Sequence, residues 1–324
     1  MNTKIPTKLL SLVAAASLAA SASFAQTTTV TSDTVGYVSI DIKGGSSTSL
    51  VSNAGLIQPS EASGNGTVSS GTTLTSTGAS WTADAFAGTH YIILDSGEWS
   101  AITSNTSDTL TLDSALSDGA DQGFSIHKLN TLDILFGATN SAGFTGGSNL
   151  GVSDIIAPWE SSIQNFSGFY YYNTDRSRWE DASNNSAGST IVYPDESLVV
   201  IAQSDAKIVI SGTVQTGNTS GEVAGGGGTS IVPNPYPVDL KISESGYESV
   251  LQGGSNFGVA DWALIWDRDT QNFSKFFYYN TNANEWQDAS NNPATDTDVI
   301  PAGGAVVFVK NSAGIGEWSL AQTY

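Results

Sequence analysis

The feature that most constrains this chain is a passage written twice. FYYYNTDRSRWEDASNN, residues 169–185, returns 107 residues later as FFYYNTNANEWQDASNN, residues 276–292. Aligning residues 146–185 with 253–292 needs no gap and gives 23 identities in 40 positions, including Gly147, Asn149, Trp159, Gln164, Phe166, Tyr171, Trp179 and Asp181. The match runs on from Val192-Tyr193-Pro194 and residues 198–202 to Val299-Ile300-Pro301 and residues 305–309. Solenoid units repeat every ~20 to 50 residues. A period of 107 is instead read as a duplicated domain.

A second offset locates the start of each copy. GGSSTSLVSN at residues 44–53 matches GGGGTSIVPN at 225–234, 181 positions on. The two offsets differ by 74, so the first copy carries an insertion of that order, placed at residues 63–128. Strands are expected inside it at residues 72–76, 90–95, 100–104, 109–113 and 124–128, separated by turn signals such as Asp95-Ser96-Gly97 and Asp118-Gly119. The resulting division is a signal peptide at 1–25, a first β module at 26–62 plus 129–211, the insertion at 63–128 and a second β module at 212–324.

Strand patterning then sets the fold class. Neighbouring residues of a strand point to opposite faces, so Phe169 and Tyr171 share one face and Tyr170 and Tyr172 the other, and both faces are bulky. The following Asn-Thr segments are turn material, which places Trp179 and Trp286 on the return strands of two hairpins. Pro194 and Pro301 precede continuous apolar runs that read as central strands covered on both sides. No convincing amphipathic helix is found. The expected architecture is all-β: two tandem homologous antiparallel β-sandwich or barrel-like modules, the first interrupted by a small inserted all-β domain.

The aromatic residues have two readings. In one, Trp159, Tyr171, Trp179, Trp266, Tyr278 and Trp286 are core, each burying on the order of 150 to 250 Å². In the other, Tyr172, Trp179, Tyr279 and Trp286 form a ligand platform that stacks on sugar rings, and duplication supplies avidity. Repetition alone does not choose between them, because core and site are copied together.

The start of the chain indicates export. Lys4 and Lys8 precede an apolar run over residues 9–20 and a small-x-small cleavage signal at Ser23-Phe24-Ala25. No later segment approaches the ~18 to 20 apolar residues of a transmembrane helix. Export places the chain outside the cell, on its surface or in the periplasm. Cleavage leaves 9 basic against 31 acidic residues, a balance of about −22 that repels nucleic acid and anionic lipid. With no cysteine, stability rests on core burial or bound ions.

The search for catalytic chemistry returns nothing that points to an enzyme. Only His90 and His127 occur, both on strands of the insertion. No G-x-S-x-G elbow, H-E-x-x-H pair or phosphate-binding loop is present, and Gly225 to Gly228 reads as a linker or bend. Acids that differ between the copies, Glu160 against Asp267 and Glu180 against Gln287, do not suggest a tuned pair. No cofactor is expected. Oxygen ligands at Glu180-Asp181 with Asn184-Asn185, and at Asp288, Asn291-Asn292, Asp296 and Asp298, have the hardness calcium requires. They lack the spacing of a calcium loop, so solvated turns are the preferred reading.

Two resemblances add to this. The insertion, GTVSSGTTLTSTGASW, YIILDSG, AITSNTSDTLTLDSAL and GFSIHK, resembles a short β module of bacterial surface proteins and phage virion proteins. That module usually has a second glycine and an arginine where this chain has Gly97-Glu98-Trp99, and the resemblance implies a structural unit. GYVSIDIKGGSSTSLVSN, NPYPVDL and the two aromatic hairpins resemble an uncharacterised family of secreted proteins of Verrucomicrobia. That resemblance implies export and carries over no functional residues.

Three function classes follow. The favoured one is an exported, non-enzymatic structural or interaction protein of the cell envelope or exterior, whose partners are itself or other envelope proteins through an edge strand. In it the threonine-rich residues 26–33 serve as a donated strand. The alternatives are a carbohydrate-binding protein, with polysaccharide as partner, and an outer-membrane β-barrel suggested by the terminal Tyr324.

Overall fold

The computed structural model describes residues 34–320; the expected signal peptide, the threonine-rich segment and Tyr324 lie outside the described residues. The chain is all-β. The first unit opens with β1 (Val35–Ile42), β2 (Ser47–Val51) and β3 (Leu56–Ile57). The inserted unit follows as β4 (Ser60–Ser69), β5 (Thr73–Thr75), β6 (His90–Leu94), β7 (Trp99–Asn105), β8 (Thr109–Leu112) and β9 (Gly119–Lys128). The first unit resumes with β10 (Asn130–Thr131), α1 (Leu132–Phe136), β11 (Ile155–Glu160), β12 (Asn165–Phe166), β13 (Tyr170–Asn173), β14 (Arg178–Asp181), β15 (Ile191–Val192), β16 (Leu198–Ala202) and β17 (Ala206–Val214). The second unit comprises β18 (Thr219–Val223), β19 (Gly228–Pro233), β20 (Leu240–Lys241), β21 (Trp262–Asp267), β22 (Asn272–Asn280), β23 (Glu285–Asp288), β24 (Val299–Ile300), β25 (Ala305–Lys310) and β26 (Gly316–Leu320).

The repeated sequence maps onto two sheets with one strand order. In the first unit it is β14-β13-β11-β16-β2, and in the second β23-β22-β21-β25-β19. Smaller pairs also correspond: β1 with β17 and β18 with β26, β10 with β15 and β20 with β24. Registers agree residue for residue in the hairpins, where Tyr172 faces Trp179 and Tyr279 faces Trp286. Each unit closes its own sandwich core. Ile40, Ile208 and Ile210 of the small sheet meet Val51, Ile156 and Val200 of the large one, as Val223, Trp318 and Leu320 meet Val232, Ala263 and Val306.

The inserted unit is a closed six-stranded barrel, β4-β5-β8-β7-β6-β9, filled by Leu74, Ile92, Ile102, Leu110 and Ile126. It begins at Ser60, where the offset reading placed the boundary at residue 63. β4, SEASGNGTVS, carries almost no apolar residues and was not expected as a strand. It forms because its backbone closes the barrel against β9, and its glycines allow close approach: a Cβ on Gly66 would lie 2.8 Å from Leu74 Cδ2. α1 was also not anticipated. It is a single turn, too short to show a helical period, nucleated by Thr131 Oγ1 accepting from Ile134 N–H at 3.3 Å.

Reciprocal contacts join the two repeated units. Trp159 Nε1 and Gln164 Nε2 both donate to Thr229 O, at 3.0 and 2.9 Å, while Thr229 N–H donates to Gln164 Oε1 at 2.7 Å. The equivalent Trp266 and Gln271 do the same to Thr48, with 3.0 Å to its carbonyl in each case and 2.6 Å from its N–H. Thr48 and Thr229 lie on β2 and β19, the edge strands of their sheets. Each glutamine amide therefore stands in for a neighbouring strand, which blunts an edge that would otherwise be a template for pairing. The arrangement is self-complementary, the hallmark of an isologous interface.

Candidate functional site

The four platform residues lie within or against the cores. Trp179 is 1% exposed and Trp286 3%. Trp179 packs its ring on Phe136, Phe144 and Tyr172 at 5.4 to 5.9 Å between centroids and donates Nε1–H to Gly137 O. Trp286 packs on Tyr279 at 5.9 Å and donates to Glu248 Oε2 at 3.2 Å. Tyr172 is buried and Tyr279 half-buried. Both tryptophans are thus core side chains, with Tyr172 and Tyr279 packed edge-to-face beside them. One face of each hairpin packs on its sandwich core, and the other is tied through the Tyr171 or Tyr278 hydroxyl to Asn184 or Asn291 of the polar loop that follows.

That loop holds a buried polar network. In the first unit the Tyr171 hydroxyl donates to Glu180 Oε2 (3.0 Å) and Asn173 Nδ2 donates to the same oxygen (2.7 Å). Arg176 Nη1 reaches Glu180 Oε1 at 2.9 Å and Arg178 Nε at 2.8 Å. Burial pushes the Glu180 carboxyl up, but the two guanidiniums with Asn173 and Tyr171 outweigh it and hold it at about 2. In the second unit Gln287 Oε1 accepts from Tyr278 and Asn280, and its Nε2 donates to Glu285 at 2.8 Å. The network ties the turn to the return strand, with Glu180 enclosed and the two arginine side chains at the surface.

The calcium candidates are similarly occupied. Asp181 accepts from the Ser183 and Asn185 N–H groups and from Asn185 Nδ2; Asp288 accepts from Ser290 and Asn292 in the same way. Asp298 accepts from Thr295 and pairs with Lys275 at 2.6 Å. Among the described residues no three acids, histidines or cysteines gather in a metal-ligating set. His90 and His127 are buried: His90 Nε2 lies 3.1 Å from Glu61, and His127 contacts Gln58 O and Ser125 Oγ.

The open site is a groove where the three units meet, and at its centre is a turn whose acids, Asp195 and Glu196, have no counterpart in the second copy. β15 leads into the turn Tyr193-Pro194-Asp195-Glu196-Ser197, closed by Glu196 N–H donating to Tyr193 O and by Tyr193 N–H donating to Glu196 Oε2. This turn meets β18 at Gly221, whose missing side chain permits the approach: a Cβ there would lie 2.9 Å from Asp195 Cβ and 2.8 Å from Trp318. On one side of the contact lies a cavity of about 690 Å³ lined by Trp159, Glu160, Tyr193, Asp195, Glu196 and Glu222. The glycines 225–228, read as a linker or bend, line it as the β18–β19 turn, with Gly226 and Gly227 at φ of 68° and 87°. On the other side a cavity of about 810 Å³ adds Glu98 and Trp99 of the barrel with Asp113, Glu317 and Trp318.

Electrostatically the groove is one-signed. Burial pushes the Asp195 carboxyl up to about 7, with Glu222 and Glu160 adding to the effect. Glu196 likewise rises to about 7, through burial first and then Asp195 and Glu160. The Tyr193 hydroxyl is raised by burial and by the surrounding acids, and its ring stacks on Trp99 at 5.8 Å and 27°. Among the described residues, no histidine, cysteine, lysine or arginine lines either cavity. With both carboxyls raised to about 7, Asp195 and Glu196 are each able to accept or to donate a hydrogen bond near neutral pH.

Sequence reasoning missed this site because its residues come from three distant segments. The one signal available was the divergence of Tyr193-Pro194-Asp195-Glu196-Ser197 from Ile300-Pro301-Ala302-Gly303-Gly304 within an otherwise matching alignment. No family model, no curated protein and no solved structure matches the chain.

Proposed function

We propose that the protein is an exported, non-enzymatic architectural protein of the cell envelope or exterior that self-associates through the open edge of β1. The observation that carries this reading is the outward row of that strand. Val214 N–H donates to Thr34 O at 2.7 Å, and antiparallel ladders alternate. Gly36, Val38 and Ile40 therefore direct their backbone groups at β17, while Val35, Tyr37, Ser39 and Asp41 direct theirs outward. Val35 and Tyr37 are 74% and 75% exposed, and among the described residues β17 is the only strand paired with β1.

A second copy is the occupant that fits. A balance of −20 keeps copies apart elsewhere, but the one acid of β1, Asp41, is held in ion pairs at this edge. Lys207 lies 3.5 Å from Asp41, and Arg268 donates to the Asp41 carbonyl at 2.7 Å. The reading is also supported by the reciprocal lock between the repeated units and by the resemblance to secreted proteins.

The test is sedimentation velocity of the mature protein over rising concentration, beside Tyr37→Glu and Ser39→Pro. The Ser39 N–H points outward, so proline there leaves the bonds to β17 intact. Concentration-dependent association in the wild type that both variants abolish is the expected result. A wild type that stays monomeric, or variants that associate equally well, rejects the reading.

A further inference from the structure

We propose that the groove between β18, the 193–197 turn and the inserted barrel binds an organic polycation: a chain of ammonium groups such as a polyamine or a lysine-bearing segment. This site is separate from the β1 edge and does not depend on it.

Charge is the first argument. Seven carboxylates line the two adjoining cavities, and among the described residues none of the seven is in an ion pair. The four buried acids among the described residues are all satisfied from within: Glu180 and Asp298 by ion pairs, Asp154 and Asp261 by backbone N–H and hydroxyl donors. Unpaired carboxylates brought together in a partly enclosed space are costly, and a bound cation offsets that cost.

Shape and hydrogen bonding narrow the ligand. The acids are spread along the groove, and no three meet closely enough to hold a single metal ion; the complementary ligand is extended, with charges several ångströms apart. Ser197, 1% exposed and in the lining, leaves its Oγ without a hydrogen-bond partner, and an N–H donor would satisfy it. Tyr193, Trp99 and Trp159 supply aromatic walls, on which an ammonium group is attracted to the ring face.

The test titrates the mature protein with spermine at low salt and pH 8 by calorimetry. It compares Asp195→Asn/Glu222→Gln with the charge-matched Asp175→Asn/Asp269→Asn, neither of which lines the groove. Saturable one-to-one binding, weakened about 10-fold or more by the groove pair and less than about 2-fold by the control pair, is the expected result. The groove pair removes repelling charges, so these variants are expected to fold, and an unchanged circular dichroism spectrum checks it. Octalysine in place of spermine distinguishes the sources: tighter groove-dependent binding by either probe identifies which kind of amine the site takes. Equal loss in both variant pairs overturns the proposal, since the acids then act only as a diffuse field. Groove-dependent calcium binding that excludes spermine overturns it too, as does a neutral oligosaccharide that binds there while spermine does not.

Discussion

The two repeated units contain the same joint, and one of them has been opened. In the aligned strands Ile40 of β1 occupies the place of Gly221 in β18. Ile40 packs against the second unit's turn at Gly303, so closely that a Cβ there would lie 2.5 Å from Ile40 Cδ1. On the other side the strand is small and the turn is large: Gly221 faces Asp195 and leaves room for Trp318. One joint is a close apolar contact; the other lines the acidic groove. The same backbone scaffold becomes glue or cavity through an exchange of size and polarity at a few positions. The barrel adds to the difference, because Ser220 Oγ donates to Gly97 O at 2.8 Å and roofs β18, whereas β1 stays open.

The hairpins show a second exchange on the same theme. Arg178 and Glu180 of the first unit correspond to Glu285 and Gln287 of the second. In one a carboxylate accepts from guanidinium groups; in the other an amide donates to a carboxylate. Tyrosine and asparagine make the same bonds in both. The network thus keeps its geometry while its charge is rewritten, as expected if satisfaction of buried groups is what matters.

The largest effect should come from breaking the hairpin comparison. Glu180→Ala strands Asn173 and Tyr171 and both guanidiniums, and should cost about 2 to 4 kcal/mol. Gln287→Ala should cost about 1 to 3 kcal/mol. Urea midpoints decide, and equal losses would show that the charge contributes nothing. Next, Gly303→Ala should destabilise by about 1 to 3 kcal/mol through overpacking and its positive φ of 70°. Ile40→Val in that background should recover part of the loss; strict additivity would rule out the packed joint.

A smaller effect concerns pH. Asp195 and Glu196, raised to about 7 in the fold, hold protons that the unfolded chain releases near 4. Stability should therefore fall as pH rises from about 4 through about 7, by about 1 kcal/mol after solvent screening. Asp195→Asn/Glu196→Gln should flatten that slope in thermal melts. Glu180 acts in the opposite window, since its contribution is present above its unfolded value and is lost as pH falls toward about 2; Glu180→Gln should remove that acid limb. The smallest effects should be Gln164→Ala and Gln271→Ala, each costing about 1 kcal/mol. A marked inequality between them would break the reciprocity of the lock.

What the sequence by itself determined is the all-β class and the paired hairpins. Those properties are carried by local alternation, turn residues and a repeat that survives in the side chains, so neighbours along the chain suffice to reveal them. The polar strand β4 and the one-turn α1 escaped because neither has a period long or apolar enough to read. Only the tertiary structure decided that Trp179 and Trp286 face inward, that each glutamine caps the other unit's edge, and that acids from three segments converge at Gly221. Such properties depend on which distant surfaces meet, and at the groove they turn on the 193–197 segment, where Asp195 and Glu196 stand against Ala302 and Gly303 of the other copy.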